Sequence, residues 1–154
     1  DYSHVGKSDP GSILAIPPMM TRLRSAISRK NSQSIILTAR SSLKETYSPA
    51  LKKNVESDNK KLIQEFLRSH GIRFPLNKIY AVGDSPIHSS IAKASVVLDK
   101  ICKIQPAEVL FFDDNILNLE AVSALSNIPF ATNIVSYQVY GQGHIRKFDK
   151  DLSI

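Results

Sequence analysis

Four short apolar runs do most to limit what this chain can fold into. They are "SIILTAR" at 34–40, "KIYAVGD" at 78–84, "EVLFFDD" at 108–114 and "IPFATNIVSYQVY" at 128–140. Each is rich in β-branched or aromatic residues, and the first three end in polar ones, as central parallel strands do. Helical patterns lie between them. Met20, Leu23 and Ile27 recur at helical spacing up to Lys30. Leu62, Ile63, Phe66 and Leu67 share one face of a helix that Gly71 stops. "SSIAKASVVLDKICKI" is amphipathic and ends before Pro106, and "NILNLEAVSALSN" turns Leu119, Val122 and Leu125 inward. Strands alternating with helices through short connections predict an α/β fold with a mainly parallel sheet covered on both faces.

The remaining segments carry weaker patterns. Residues 1–18 are rich in Gly, Ser, Asp and Pro and read as irregular chain. Residues 41–58, interrupted by Pro49, read as a loop or short insertion. Residues 136–154 read as the end of the last strand followed by a surface tail. With 154 residues in all, one domain with a core over 19–135 is expected.

Composition narrows the functional classes. Apolar residues at 42% and charged residues at 22% exclude a disordered or collagen-like chain. A formal charge of +6 favours anionic partners. The densest basic groups, "TRLRSAISRK" at 21–30 and "LKKNVESDNKK" at 51–61, are not interleaved with aromatics and read as solvated faces. "GKS" at 6–8 lacks the upstream glycine that a phosphate-binding loop needs. The single cysteine, Cys102, cannot form an internal disulfide, fits a reducing compartment, and is expected to be buried on the apolar face of its helix. Cytoplasm is the default location, with mitochondrial matrix or virion as alternatives. No apolar run approaches the length of a membrane span, and no signal peptide is expected from the opening residues.

In an open α/β sheet the functional crevice lies beyond the carboxyl ends of the strands. Three polar endings are therefore expected on one edge: Thr38 with Arg40, Gly83 with Asp84, and Asp113 with Asp114. The last pair is the most informative. Two adjacent carboxylates at the mouth of a buried strand repel each other, and a divalent cation such as Mg2+ with several waters relieves that. The alternative is that one of them caps the helix beginning near Asn115. Asp84 reads as a turn residue rather than a ligand.

"SIILTAR", the lysine in "SSIAKASVVL" and "VLFFDDNILNLEAV" about twenty residues later together resemble motifs two, three and four of the haloacid dehalogenase-like (HAD) phosphohydrolase superfamily. The similarity is greatest to its small, phage-type phosphatases and covers roughly residues 18–135. It implies a Rossmannoid three-layer sandwich with a minimal cap or none, and a magnesium-dependent phosphatase. By the same resemblance Thr38 would hydrogen-bond a phosphoryl oxygen, Lys93 would neutralise nucleophile and phosphoryl group, and Asp113 and Asp114 would hold Mg2+. Arg40 and Asn118 would orient substrate or the acidic loop. Lys100 is the second candidate for the lysine, but it falls too late in its helix. Each also has an ordinary reading, as a strand-end threonine or a residue of a helix surface. The partners implied are a phosphorylated small molecule, a nucleic-acid end or a phosphoprotein.

The family's first motif, a strand ending Asp-x-Asp-x-Thr that supplies the nucleophile, has no counterpart before residue 20. Three explanations are open: loss of the strand upstream, a non-catalytic relative that binds or assembles, or permutation of the motif to Asp149, Asp151 and Ser153 in "FDKDLS". The polar, glycine-rich stretch before "FDKDLS" argues against the last. Because the absent strand is normally central, its neighbours would keep open edges that a partner protein could complete. Two readings follow: a phosphohydrolase domain, or a degenerate HAD-like module in a larger complex, touching nucleic acid or acidic protein.

Overall fold

The computed structural model describes residues 17–149. It is a mixed α/β structure with the order α1 (Pro17–Ser28), β1 (Ile36–Thr38), β2 (Leu43–Ser48), β3 (Lys53–Asp58), α2 (Asn59–Ser69), β4 (Ile79–Ala81), α3 (Ser89–Ile104), β5 (Glu108–Asp113), α4 (Ile116–Ser123), β6 (Asn133–Tyr140) and β7 (His144–Lys147). The strands form three small sheets instead of one: β1 with β4, β2 with β3, and β5–β6–β7. β1–β4 and β5–β6 are parallel, whereas β2–β3 and β6–β7 are antiparallel. The described residues divide into two compact units at Asp84/Ser85.

The first unit is built around α2. Asp58 starts the helix by accepting the N–H groups of Lys60 and Lys61. Gly71, at φ +77°, stops it. The Gly71 N–H reaches the Arg68 carbonyl and the Ile72 N–H reaches that of Leu67, so the chain reverses with its last carbonyls satisfied. The reversal sends Ile72 into the core beside Leu67. Ile63, Phe66, Leu67, Ile72 and Phe74 pack with Met20 of α1, Ile36 of β1 and Ile79 of β4. Ile63 and Leu67 are wholly buried, each removal from water being worth about 1.5–3 kcal/mol. Of the three apolar residues read on α1, Met20 is buried and Leu23 partly so, while Ile27 stays 42% exposed.

The insertion expected at 41–58 as an irregular loop is instead a regular hairpin, with Leu43 opposite Asp58 and Ser48 opposite Lys53. Pro49 does not break it because it falls in the connecting turn, where no ladder hydrogen bond is needed. Its root is fixed by Asn59, a buried residue whose side chain donates to the Ser41 carbonyl and whose N–H donates to that of Ser42.

The second unit is a β5–α4–β6 crossover extended by β7, with α3 packed on α4 and α4 against β5 and β6. Leu119, Val122 and Leu125 point inward, as their spacing predicts. Ala94, Val97 and Ile101 are the buried face of α3. Cys102 lies one position, about 100°, round the helix from Ile101, and its thiol is exposed, not buried as expected. The tail also departs from expectation. Gly141 and Gly143, at φ +56° and +94°, turn the chain so that His144–Lys147 pairs with β6. No helix among the described residues is long and apolar enough to cross a membrane.

Candidate carboxylate site

The Asp113 carboxylate is the centre of the best-defined polar cluster. β5 ends at Asp113, whose Oδ1 accepts the Asn115 N–H at 2.9 Å and so turns the chain into α4. The cap of that helix is Asn115, whose Oδ1 accepts the Leu117 N–H at 2.8 Å. Neither aspartate is the capping residue. Lys93, near the start of α3, is 7% exposed and donates from Nζ to Asp113 Oδ2 at 2.9 Å. Asn118, 5% exposed and less than one turn into α4, donates to the same oxygen at 3.1 Å. One oxygen thus ties two helices to a strand end.

A carboxylate oxygen has two lone-pair sites. Oδ2 of Asp113 uses both, and Oδ1 uses one on the backbone. One position on Asp113 remains open, next to the more exposed Asp114. Burial of its carboxyl group, followed by the hydrogen-bonding reach and charge of Asp113, raises the pKa of Asp114 above the ordinary value. The repulsion expected between the two acids is therefore present.

A magnesium ion needs hard oxygen ligands and keeps several waters, so one or two carboxylates can suffice. The open position on Asp113 and the carboxylate of Asp114 fit that minimum. Among the described residues no group of three or more His, Cys, Asp or Glu side chains is arranged around a metal position.

Thr38, Arg40 and Asp84 belong to the other unit, where the ends of β1 and β4 lie side by side. Thr38 is 4% exposed, and its Oγ1 accepts the Arg40 N–H at 3.3 Å. The Gly83 N–H donates to the Arg40 carbonyl at 2.9 Å, and Asp84 Oδ2 accepts the Ser42 N–H at 3.0 Å. Asp84 is thus the turn residue anticipated. A Cβ on Gly83 would lie 2.4 Å from the Arg40 carbonyl carbon, so only glycine permits this approach. Nε of Arg40 is buried without a hydrogen-bond partner, a costly state for a cationic donor that an anion would relieve.

Asn115 and Asn59 escaped the sequence reading. An Asx residue just before an apolar helical run was the available signal for Asn115. Asn59 had none, because its partners depend on the hairpin. Asp149 is exposed, while Asp151 and Ser153 lie outside the described residues. Comparison with known family models, with characterised proteins and with solved structures returns no match for this chain.

Proposed function

We propose that this chain is a HAD-like, magnesium-dependent phosphohydrolase domain acting on a phosphorylated substrate. The observation that carries the reading is the buried triad of Lys93, Asp113 and Asn118, with Asp114 beside it. A lysine from the helix before a strand meets the first of two acids at that strand's end, as motifs three and four of the family require. Lys93 spends one of its three N–H donors on Asp113. The others can serve the charge that spreads over phosphoryl oxygens during transfer. In the other unit, Thr38 offers a hydroxyl and Arg40 an unpartnered guanidinium nitrogen, groups of the kind that bind phosphoryl oxygens. Asp113 and Asp114 would hold Mg2+, which supplies electrostatic stabilisation of the phosphoryl group when bound.

The three-layer sandwich belongs to this reading. Among the described residues β5 pairs only with β6, so a strand carrying the attacking carboxylate has an edge available to it. That strand would come from upstream sequence or from a partner protein. One observation favours the second reading, a degenerate binding module. Protein donors already satisfy three of the four positions on the Asp113 carboxylate, which suits a purely structural role.

The test is to determine the mass and N-terminal sequence of the natural protein, then to assay p-nitrophenyl phosphate hydrolysis with magnesium. Turnover abolished by Asp113→Asn supports the phosphohydrolase. A natural start near Asp1 with no turnover sinks it and leaves the binding module.

A further inference from the structure

One row of side chains crosses the three-stranded sheet where its parallel strands end. Asp113 of β5 is paired with Gln138 of β6, and Gln138 with Arg146 of β7. Directly paired residues project from one face of a sheet, as do residues two apart on a strand. Tyr140 and its partner His144 therefore stand on that face as well, one step beyond the row. It is the face that α4 covers, since Asn118 reaches Asp113 and Ser123 Oγ donates to Ser136 Oγ at 3.1 Å. Two strand spacings, about 10 Å, separate the backbones at Asp113 and Arg146.

Arg146 is held by two contacts. Its Nε donates to Gln138 Oε1 at 2.9 Å, and its guanidinium carbon lies 5.0 Å from the centre of the Tyr140 ring. That ring packs in turn against His144, with ring centres 5.6 Å apart, and remains 45% exposed. The contacts restrain a long side chain that would otherwise sample many rotamers. They use one of its five N–H groups. The four on the two Nη atoms have no protein partner among the described residues, and Arg146 forms no ion pair there. A guanidinium fixed in one orientation is suited to take two oxygens of one phosphate.

We propose that Arg146 binds a second phosphate of the substrate, carried on the same molecule as the phosphoryl group that meets Asp113 and Asp114. The substrate class is thus a bisphosphate, and Gln138 and Tyr140 are positioning residues that set the guanidinium. The inference takes from the phosphohydrolase reading the place of the first phosphate. Two phosphates on one ribose suit a row of this length. A nucleoside bisphosphate and the phosphorylated end of a nucleic-acid strand both carry such a pair.

The experiment is isothermal titration calorimetry of the full chain, with magnesium, against adenosine 3′,5′-bisphosphate and adenosine 5′-monophosphate. The bisphosphate should bind about tenfold tighter, the value of one added charge-assisted contact. Arg146→Gln should erase that difference and leave the monophosphate affinity unchanged, which loss of a merely structural residue would not do. Gln138→Leu keeps the cation but removes its tether, and should erase part of the difference. Circular dichroism establishes that each variant is folded, and Gln138→Leu decides the matter if Arg146→Gln is not. Equal affinity for the two ligands would overturn the proposal. So would a difference that survives in the folded variants, or no binding of either ligand. A 3′-phosphorylated dinucleotide that binds tighter than the bisphosphate, through Arg146, identifies a nucleic-acid end as the source of the second phosphate, and the reverse order identifies a small molecule. Absence of p-nitrophenyl phosphate turnover beside an Arg146-dependent difference touches only the preceding reading, whereas turnover without that difference sinks only this one.

Discussion

Replacing Lys93 by Met is the sharpest test of the carboxylate cluster. The side chains of Lys93 and Asp113 are 9% and 8% exposed, so neither charge can turn to bulk water when the other is lost. Methionine fills much of the space of the lysine stem and leaves the Asp113 carboxylate without its counter-charge. Removing one partner of a buried pair costs about 3–5 kcal/mol. The low end, about 3 kcal/mol, applies here because Asn118 and the Asn115 N–H still serve Asp113. Urea unfolding followed by circular dichroism measures it as a shift in midpoint at constant slope. Adding Asp113→Asn to Lys93→Met should recover part of the loss, since no uncompensated charge then remains. A single-variant cost below about 1 kcal/mol, the range of solvent-exposed pairs, would refute the reasoning. So would a double variant that is less stable by the sum of the two single losses.

Asp114→Asn should stabilise the protein at neutral pH, because burial and the Asp113 charge raise the pKa of this carboxyl in the folded chain. The penalty it removes is absent below the unfolded pKa of about 4, grows as pH rises through the folded pKa, and is complete above it. Thermal melts at pH 7 and pH 3 should therefore show a higher Tm for the variant only at pH 7, and equal gains at both would refute the assignment. Gly83→Ala should cost about 3 kcal/mol in urea unfolding, as overpacking against backbone that cannot move aside does. A cost below about 1 kcal/mol would show that the loop of Arg40 yields.

Helices were legible in the sequence because each carries its own boundary chemistry. Gly71 and the 3.6-residue spacing of Ile63, Phe66 and Leu67 place α2 to within a residue or two. Pro106 and the run from Ser89 place α3. Strand pairing was not legible, since it depends on partners remote in sequence. The apolar runs at 34–40 and 108–114 both became strands, yet they entered different sheets. The hairpin was missed because its residues are mostly polar and Pro49 interrupts them. The tail strand was missed because its two glycines read as surface chain when they are turn residues. Cys102 was misjudged by 100° of helix rotation, where the apolar stripe of α3 ends. At the carboxylate site, two adjacent acids at a strand end pointed to Asp113, and the family resemblance pointed to Lys93. The sharing of one oxygen by Lys93 and Asn118 required coordinates.

The anchorage of the hairpin has an evolutionary consequence. Asn59 and Asp84 grip residues 41 and 42 by hydrogen bonds that do not involve the ribbon beyond them. The span from Leu43 to Asp58 is thus a module clipped in at its base. Loop-closure entropy rises only slowly, by about 0.6 kcal/mol for each doubling of length. The tip can therefore be lengthened, shortened or exchanged while the parallel pair beneath it registers little of the change. A segment held in this way is free to diverge faster than its scaffold, and new binding preferences can be tried there at small cost to the fold.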